Sequence, residues 1–442
     1  MTHERINPRL PSGFRDSLPS DAITRQHMMD QISSVFERFG FSPIDTPALE
    51  YPEVLAGEEG FKKNIYRARI TDDDEPLALR FDLTVPLARF VAAHANELQF
   101  PFLRYHIGKV WRGEHAQLGR YREFVQCDAD IVGARSLIAD AHIIALMYAV
   151  FSELQIAQHI RIRISNRKVL NGLSGFLGFD PARTPDVLRA IDKLDRQPWA
   201  DVAQELETRI GLDAQQIDAI HEFVDLRANT PEELLDKAEA LLKFGAESEE
   251  GIRELRELIA HLDQLDVPRT SWSLDLSVAR GLGYYTGTVF ETTLQSAPDM
   301  GSVCSGGRYD NLVSRFSPLQ LSGVGMSVGI DRLYAALDSL GLIQRSTAAT
   351  QVAILNFEAS CTPDILQLAS RIRNSGTSCT VYLGNETSLK GQLAWAVKGD
   401  FPQVILMGTG ERERGVVQLK DMNARTQSEV ALNDVVALLD AR

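Results

Sequence analysis

Three arginines fall within one short polar stretch between two segments that have the alternating pattern of strands. The stretch RGEHAQLGRYREFVQ begins at Arg112 and also contains Glu114, Arg120 and Phe124. A guanidinium group stays charged when it is partly buried, and its paired N–H donors suit two oxygens of one phosphate. The ring of Phe124 offers a face on which a base can stack. The stretch therefore predicts a binding site for a phosphorylated nucleotide, with a solvated basic hairpin as the alternative.

Polar residues with strand spacing form a second group of candidates. Asp82 and Thr84 stand two residues apart in LRFDLTVP, and Gln126 and Asp130 stand four apart in a later segment. Side chains two or four residues apart on a strand share one face. Together they suit a site that holds an ammonium group and an imidazole, although each residue alone is ordinary in a folded protein.

Two segments combine glycine with tyrosine. ARGLGYYTG contains Arg280, Tyr284 and Tyr285, and CSGGRYD contains Tyr309. Glycines leave space, and tyrosine hydroxyls both donate and accept hydrogen bonds, so these segments can wall a small polar pocket. A pair of ordinary sheet turns is the alternative.

A glycine-rich segment that leads from a predicted strand into a helix contains a further arginine. In GVGMSVGIDRL, residues 323–333, Arg332 lies in the first turns of the helix. The glycine spacing differs from that of a dinucleotide-binding fingerprint, and the sequence has no GxxxxGK[ST] motif. The segment therefore does not favour a Rossmann domain, and a P-loop is excluded as the nucleotide site.

These candidates have to be positioned by a body built mainly of antiparallel strands. Alternating apolar residues predict its strands, and a spacing of three to four residues predicts its helices. The predicted strands are 41–47, 77–82, 105–111, 123–130, 160–164, 273–276, 284–294 and 300–305. The predicted helices are 20–40, 85–97, 141–154 and 327–340.

Two regions differ from this body in pattern. Residues 166–266 are rich in Leu, Ala, Asp, Glu and Arg with helical spacing, which predicts an inserted helical domain. Residues 344–442 open with a polar connector and then alternate strands with helices, which predicts a separate small α/β domain with a mainly parallel sheet. The predicted elements of that domain are strands 352–356, 379–382, 403–408 and 415–420 and helices 363–374, 388–399 and 432–440.

The composition is that of a globular protein of two or three domains. The 442 residues have a net charge of −14 and a pI near 5.2, with 44% hydrophobic and 24% charged residues. An acidic chain does not by itself indicate a nucleic-acid partner, but a local basic patch is enough to bind one. No apolar run of membrane-spanning length and no signal-like apolar core occur, which predicts a cytoplasmic protein without a membrane partner. The four cysteines lack CxxC spacing, so we expect reduced thiols and no metal site.

In order and spacing, from about residue 10 to the end, these motifs resemble the histidyl-tRNA synthetase family. LRFDLTVPLAR and GRYREFVQCDADIVG are most similar to the eukaryote-like branch, and RGLGYYTG and SGGRYD resemble two histidine-specific signatures. GVGMSVGIDRL resembles the third general motif of class II synthetases. LKGQLAWAVKGDFPQVILMGTGERERGVVQLKD resembles the class IIa anticodon-binding domain.

The resemblance implies a fold and a division of the chain. The fold is α+β, with an antiparallel class II synthetase catalytic sheet of six or seven strands, a helical insert and a C-terminal α/β anticodon-binding domain. The domains are a catalytic domain in two parts (1–165 and 267–343), a helical insertion domain (166–266) and an anticodon-binding domain (344–442). The family also implies a homodimer built partly on a motif near Pro47.

The resemblance also implies an activity in protein biosynthesis. A member of the family activates histidine with ATP to histidyl-adenylate, releases pyrophosphate, and transfers histidine to the 3′ end of tRNA(His). Mg²⁺ accompanies the ATP phosphates, and the protein itself holds no tightly bound metal. Transfer of roles by motif gives ATP-binding residues Arg112, Glu114, Arg120, Phe124 and Arg332 and catalytic residues Arg112 and Arg280. It gives histidine-binding residues Asp82, Thr84, Arg112, Gln126, Asp130, Arg280, Tyr284, Tyr285 and Tyr309.

Two positions depart from the family pattern. Gly283 stands where the family usually has Asp, and Asp130 stands where bacterial members commonly have Glu, as in the eukaryote-like branch. The main rival interpretation is the regulatory subunit of ATP phosphoribosyltransferase in histidine biosynthesis. This non-catalytic relative shares the catalytic fold, typically lacks the anticodon domain and has eroded ATP-site arginines. A protein that uses the same scaffold only to bind RNA or to signal is the second alternative.

Overall fold

The computed structural model describes residues 6–55, 64–71, 74–195, 197–242, 245–279, 285–343 and 350–440. The chain divides into two compact units. The first comprises Met1–Arg15 and Met28–Ile343, and the second comprises Asp16–His27 and Gln344–Arg442. Among the described residues, no helix has both the length and the apolar character needed to cross a membrane.

The first unit combines strands and helices along its whole length. Its strands are β1 (Ser42–Pro43), β2 (Leu49–Glu50), β3 (Arg67–Ala68), β4 (Leu77–Leu79), β5 (Phe102–Trp111), β6 (Glu123–Val132), β7 (Ile160–Asn166), β8 (Trp272–Leu274), β9 (Thr288–Leu294), β10 (Ser302–Tyr309) and β11 (Gly323–Gly329). Its helices, with α1 shared between the units, are α1 (Pro19–Arg38), α2 (Pro52–Leu55), α3 (Thr84–His94), α4 (Leu137–Glu153), α5 (Arg167–Asn171), α6 (Leu173–Leu177), α7 (Thr184–Ile191), α8 (Trp199–Glu205), α9 (Ala214–Val224), α10 (Pro231–Leu241), α11 (Ala246–Gln264) and α12 (Ile330–Ser339).

Eight of these strands form one large sheet in the order β1-β5-β6-β11-β10-β9-β7-β8. The six inner strands pair antiparallel, whereas the short edge strands β1 and β8 pair parallel with their neighbours. The predicted α+β fold with a large antiparallel-rich sheet is confirmed. The sheet has eight strands instead of the expected six or seven because these two short edges extend it.

One face of the large sheet packs against helices. Cys127, Ala129 and Ile131 of β6 belong to the same apolar core as Ile143 and Ile144 of α4. Helix α4 is apolar around most of its circumference, which is the pattern of a helix buried in a core. Because side chains alternate along a strand, the residues between these on β6 must face the other side of the sheet. That opposite face is polar.

The segment from β7 to β8 contains helices α5 to α11, and its described residues contain no strand. Local signals account for several of the helix starts. Asp213 and Gln216 form a capping box at the start of α9, and the Thr230 hydroxyl accepts from the Glu233 N–H before α10.

The second unit has a sheet of five strands in the order β13-β12-β14-β15-β16. The strands are β12 (Val352–Ile354), β13 (Cys379–Val381), β14 (Gln403–Leu406), β15 (Val416–Asp421) and β16 (Thr426–Ala431). The helices are α13 (Thr362–Asn374), α14 (Leu389–Lys398), α15 (Thr409–Arg414) and α16 (Val435–Asp440). Strands β12, β13 and β14 are parallel, but β15 and β16 join antiparallel, so the expectation of a mainly parallel sheet is only half right.

The structure also corrects two predicted elements. Residues 327–340 were expected to form one helix, but Gly323–Gly329 is strand β11 and α12 begins at Ile330. Asp82 and Thr84 were expected to lie on a strand, but β4 ends at Leu79. Asp82 therefore lies in the connection to α3, and Thr84 is the first residue of that helix.

Candidate active site

The polar face of the large sheet contains a cavity of about 400 Å³. Its floor comes from β6, β10 and β11, and its rim comes from the β5–β6 connection, the start of α3 and the start of α12. The lining residues are Phe81, Asp82, Thr84, Arg112, Glu114, Gly119, Arg120, Tyr121, Phe124, Gln126, Asp130, Tyr285, Ser302, Val303, Cys304, Ser305, Tyr309, Gly325, Met326, Ser327, Gly329, Asp331 and Arg332.

All predicted site residues that the structure describes line this one cavity. They are Asp82, Thr84, Arg112, Glu114, Arg120, Phe124, Gln126, Asp130, Tyr285, Tyr309 and Arg332. Arg280, Gly283 and Tyr284 lie outside the described residues. Five separate sequence motifs therefore converge on one site.

One end of the cavity is rich in arginine. Arg112 Nε donates to the Phe81 carbonyl at 2.9 Å, and the guanidinium carbon lies 5.2 Å from the centroid of the Phe124 ring. Arg332 Nη1 donates to the Ser302 carbonyl at 2.7 Å. Both guanidinium groups thus approach the cavity with their orientation fixed by a backbone oxygen. Together with Arg120, they form a positively charged wall suited to phosphate oxygens.

The N-terminal segment holds the β5–β6 connection in place. The Arg122 N–H donates to the Gly13 carbonyl at 2.9 Å. The Arg122 side chain reaches the carbonyls of Ser12 and Glu114, each at 3.1 Å. The loop that carries Glu114 is therefore tied to the segment that precedes α1.

Arg15 is a second link from the N-terminal segment to the cavity wall. Its guanidinium lies 4.1 Å from the centroid of the Tyr121 ring, and its Nη2 lies 2.5 Å from Asp331 Oδ1. Asp331 Oδ2 also accepts from the Val125 N–H at 2.8 Å. Sequence reasoning singled out neither Arg15 nor Tyr121 nor Asp331 as site residues. Asp331 could have been found from the sequence, because it directly precedes Arg332 in the same motif. Arg15 lies in no motif.

The other end of the cavity is formed by carboxyl, amide and hydroxyl groups. Asp82 Oδ1 accepts from the Val85 N–H at 3.1 Å and so caps the first turn of α3. Gln126 Nε2 donates to Ser327 Oγ at 2.5 Å, and Tyr309 Oη donates to Asp130 Oδ1 at 2.7 Å. Burial raises the pKa of Asp82 to about 6, although the Val85 N–H and Arg112 oppose this rise.

Glycines of β11 make room for this polar end. A Cβ at Gly325 would lie 2.0 Å from Asp130 Oδ1, and a Cβ at Gly323 would lie 2.3 Å from a ring carbon of Tyr309. Any larger residue at these positions would displace the side chain that faces it. Gly323 and Gly325 are two residues apart on β11, so both face the side of the sheet on which Asp130 and Tyr309 lie.

Cys304 lies in the cavity wall but is not suited to nucleophilic chemistry. Burial raises the pKa of its thiol, and the nearby Asp128 carboxylate raises it further. The thiolate is the reactive form of cysteine, so this thiol is unreactive near neutral pH. The cavity therefore offers positively charged groups at one end and acceptors at the other, with no activated nucleophile in between among the described lining residues.

Comparison with known proteins gives a consistent result. The family model described as histidyl-tRNA synthetase matches residues 13–333, and the model described as anticodon binding domain matches residues 351–442. A histidine–tRNA ligase from Wolinella succinogenes is 44% identical over 420 residues, which are 94% of each chain. The crystal structure of a histidyl-tRNA synthetase from Nostoc sp. PCC 7120 matches with a TM-score of 0.88 and 35% identity, over 99% of this chain and 100% of that chain.

A more distant structure bears on the rival interpretation. A Bacillus halodurans protein described as an ATP phosphoribosyltransferase regulatory subunit/histidyl-tRNA synthetase matches with a TM-score of 0.74 and 24% identity, over 92% of this chain and 100% of that chain. At this identity the likeness shows a shared fold alone. The described arginines of the cavity and the match over residues 351–442 are the features that the regulatory relative was expected to lack.

Proposed function

The chain belongs to the histidyl-tRNA synthetase family, and from this premise we propose how its cavity carries out the family's reaction. The chain is an aminoacyl-tRNA synthetase. It activates histidine with ATP and transfers histidine to the 3′ end of tRNA(His). The regulatory-subunit interpretation is disfavoured, because the match to histidine–tRNA ligases runs over nearly the whole chain.

ATP binds at the arginine-rich end of the cavity in this proposal. Arg112 and Arg332 contact the phosphates, and Arg120 belongs to the same wall. The base stacks on Phe124, with Glu114 near the adenine amino group. The backbone contacts that orient Arg112 and Arg332 support this assignment, because guanidinium groups fixed before binding lose little freedom on meeting a phosphate.

Histidine binds at the other end. Its ammonium and imidazole groups meet Asp82, Thr84, Gln126, Asp130, Tyr284, Tyr285 and Tyr309. The described members of this set line the cavity, and Asp130 presents a carboxylate oriented by Tyr309. In this proposal Arg112 and Arg280 bind the histidine carboxylate, since that group must approach the α-phosphate of ATP.

The chemistry follows from this arrangement. The carboxylate of histidine attacks the α-phosphorus, and pyrophosphate leaves from the opposite side. The nucleophile is already ionised, so the site needs no general base. Catalysis consists of positioning the two reactants and of stabilising the charge that develops on the phosphate oxygens, which is the role proposed for Arg112 and Arg280.

Mg²⁺ would neutralise the β- and γ-phosphates of ATP. No group of three or more His, Cys, Asp or Glu with metal-ligand geometry occurs among the described residues. Mg²⁺ is commonly held by substrate phosphates and waters with few protein ligands, so in this proposal the ion arrives with the nucleotide.

The proposed domains assign a part of the reaction to each region. We assign 1–165 and 267–343 to the catalytic domain, 166–266 to the insertion domain and 344–442 to the anticodon-binding domain. Helices α5 to α11 and the two family matches support these boundaries. In this scheme tRNA(His) contacts the C-terminal domain with its anticodon.

We also propose a homodimer and a cytoplasmic location, where charged tRNA is used. An open hollow beside Pro47 supports the dimer, since Leu49 and Tyr51 there are 40% and 45% exposed. Light scattering of the full chain tests this proposal, and a monomer at every concentration would contradict it.

Histidine-dependent exchange of pyrophosphate into ATP is the experiment that tests the proposed site as a whole. The single observation that carries the proposal is the convergence of the predicted residues on one cavity. Exchange that needs histidine, followed by charging of tRNA(His), is the expected result. A purified, folded chain with no exchange, beside an active control synthetase, would refute it.

Replacement of Arg280 tests whether this residue stabilises the negative charge that develops on the phosphate oxygens in the transition state. We expect Arg280→Ala to abolish adenylate formation while the melting temperature stays unchanged, a loss on the order of several kcal/mol in transition-state stabilisation. Arg9→Ala, at an exposed position, is the matched control and should keep the normal exchange rate. A normal rate in the Arg280 variant would remove that residue from the mechanism.

A further inference from the structure

A fully buried arginine lies beside the histidine end of the cavity without lining it. Arg104 on β5 is 0% exposed. Its Nη2 lies 2.5 Å from Oδ2 of Asp130, which is 3% exposed. A buried arginine without a carboxylate partner is rare because of the high cost of taking a charge out of water. The Arg104–Asp130 pair supplies this partner, and it forms because the register of β5 and β6 sets the two residues opposite each other.

The register of the sheet places the pair next to the proposed histidine contacts. Arg104 on β5 lies directly opposite Asp130 on β6, and Asp130 lies opposite Gly325 on β11. The two carboxylate oxygens of Asp130 have different partners. Oδ2 meets Arg104, and Oδ1 accepts from Tyr309 Oη at 2.7 Å. Asp130 is thus clamped between a cation behind it and a hydroxyl group of the cavity wall.

Arg104 acts on Asp130 through its charge more than through directed hydrogen bonds. None of its three guanidinium nitrogens has hydrogen-bond geometry to an acceptor among the described residues, despite the short approach to Oδ2. A charge–charge contact of this kind depends on the presence of a cation and tolerates a change in its shape. A lysine in place of Arg104 should therefore preserve part of the effect.

The surroundings of Asp130 are otherwise unfavourable to a negative charge. Asp128, two residues away on the same face, is 1% exposed, and Asp82 is 6% exposed. Burial raises the pKa of all three carboxyl groups, to about 7 for Asp128 and about 6 for Asp82. Arg104 lowers the pKa of each of them, and Asp130 and Asp82 raise that of Asp128.

Three further basic groups face this cluster, and one of them, Arg80, interacts with Asp128. His106 lies opposite Asp128, but burial, together with Arg104 and Arg80, lowers the pKa of His106 to about 4, so it is neutral near pH 7. Arg112 acts on Asp82 from the nucleotide end. Arg104 is therefore the cation that stands against Asp130 itself, at 2.5 Å.

We propose that Arg104 is a positioning residue for histidine recognition, which favours the ionised form of Asp130 and holds its carboxylate in one orientation so that it can accept a hydrogen bond from the substrate imidazole. The inference rests on the proposed function, in which Asp130 faces histidine. Arg104 itself touches neither histidine nor ATP. It belongs to no motif that the sequence reveals, because its partner lies on the neighbouring strand.

Loss of the cation has a definite chemical consequence. A buried carboxyl group without a counter-charge takes up a proton, since the neutral form is cheaper to bury. Protonated Asp130 would offer an acceptor less strongly and could turn a donor toward the imidazole. Histidine binding then weakens, and it recovers as rising pH removes the proton again. Binding of ATP at the opposite end should not change.

The experiment compares Arg104→Met, Arg104→Lys, Asp130→Asn and the double variant R104M/D130N by pyrophosphate exchange. At about pH 7, Arg104→Met should raise the KM for histidine about tenfold or more and leave the KM for ATP within about twofold. The ratio of variant to wild-type KM for histidine should fall as the pH rises, because Asp130 then loses its proton again. Comparison of variant and wild type at each pH cancels titration of the substrate. Arg104→Lys should lie between wild type and Arg104→Met.

Arg161→Met is the matched control, since Arg161 lies on β7 of the same sheet and outside the cavity. It should leave both KM values unchanged. The double variant guards against misfolding of Arg104→Met, because it removes both buried charges together. Its KM for histidine should equal that of Asp130→Asn alone, which shows that Arg104 works through Asp130.

Several outcomes would overturn the inference. One is additive effects in the double variant, and a second is an equal rise in both KM values in Arg104→Met. The third is a rise in the histidine KM that does not change with pH. An Asp130→Asn variant with an unchanged KM for histidine would instead remove Asp130 from the proposed histidine site, and the role of Arg104 with it. If the KM for histidine rose in Asp130→Asn but not in Arg104→Met, the inference would be wrong and the proposed function would stand.

Discussion

The two sheets of this protein differ in what they bury. The large sheet encloses Arg104, Asp128 and Asp130 at 0%, 1% and 3% exposure. Between residues 350 and 439, the buried polar side chains among the described residues are Thr377 and Gln392, and neither is charged. The smaller sheet packs an apolar core that contains Val352, Ile354 and Ile405, among others.

The buried amide of the second unit, Gln392 in α14, also differs from Arg104 in how its hydrogen-bonding groups are satisfied. Gln392 Nε2 donates to the Asn356 and Glu386 carbonyls at 2.8 and 2.7 Å, and its Oε1 accepts from the Asn356 N–H at 2.7 Å. The nitrogens of Arg104, by contrast, have no partner with hydrogen-bond geometry among the described residues. A buried polar group that holds two loops together stabilises the fold. Buried charges grouped below a cavity reduce stability and are the expected mark of a binding site.

Gly325→Ala should have the largest effect on the polar sheet. The added Cβ would lie 2.0 Å from Asp130 Oδ1 and 2.8 Å from the Ala129 carbonyl, so the carboxylate must leave its place between Arg104 and Tyr309. We expect kcat/KM for histidine to fall about a thousandfold, equivalent to about 4 kcal/mol. Steady-state pyrophosphate exchange measures this loss.

Gly175→Ala in α6 is the control for that substitution. No heavy atom lies within 4 Å of the added Cβ, and the position lies among the helices between β7 and β8. Activity should stay within about twofold of wild type, as expected for an exposed helical position. If both variants were equally active, the argument that β11 makes room for Asp130 would be wrong.

Ile405→Ala, in the smaller sheet, should lower the stability of the protein and leave its pyrophosphate exchange unchanged. Ile405 is 0% exposed in β14, and removal of a buried Ile side chain costs about 3 kcal/mol of unfolding free energy. The described lining residues of the cavity all lie in the first unit, so pyrophosphate exchange should be preserved at temperatures below the lowered melting transition. Calorimetry and exchange on the same sample test this, and loss of exchange in a folded variant would contradict the separation.

Much of the fold could be predicted from the sequence because its patterns are local. Alternation identified β5 and β6, and helical spacing identified α4 and α13. Strand β16 was missed because Thr426–Ala431 is mostly exposed and polar, so it has no apolar face to show. The end of β11 was mistaken for helix because glycines carry little strand signal, although their small size is what the sheet needs at that point.

The site was predictable only as far as its residues stand in motifs. The arginines and tyrosines that were predicted as site residues stand in sequence motifs, and those that the structure describes line one cavity. Arg104 and Arg15 were missed because each meets its partner across a long stretch of chain, at Asp130 and at Asp331. Strand register brings Arg104 to Asp130, and tertiary packing brings Arg15 to Asp331. No local sequence pattern reports either contact.

Asp128→Asn should have the smallest effect, and its sign follows from linkage. Burial raises the pKa of Asp128 in the folded protein to about 7, above the 3.8 of a free aspartate, so the folded state binds more protons than the unfolded state between these values. The unfolding free energy of wild type therefore falls as pH rises through this window, by about 1.4 kcal/mol per carboxyl group between about pH 6 and about pH 8. Asp128→Asn lacks this titration, so its unfolding free energy should fall less over the same range.

Asp218→Asn, on the exposed face of α9, separates this effect from a general change in charge. It removes one negative charge from a solvated position, so the pH dependence of its unfolding should match that of wild type. Chemical denaturation of the three proteins at each pH gives the slopes. If Asp128→Asn had the wild-type slope, Asp128 would be ionised at little cost in the folded protein. The contrast between a sheet that buries charge at a cost and a sheet that buries hydrocarbon would then rest on Arg104 and Asp130 alone.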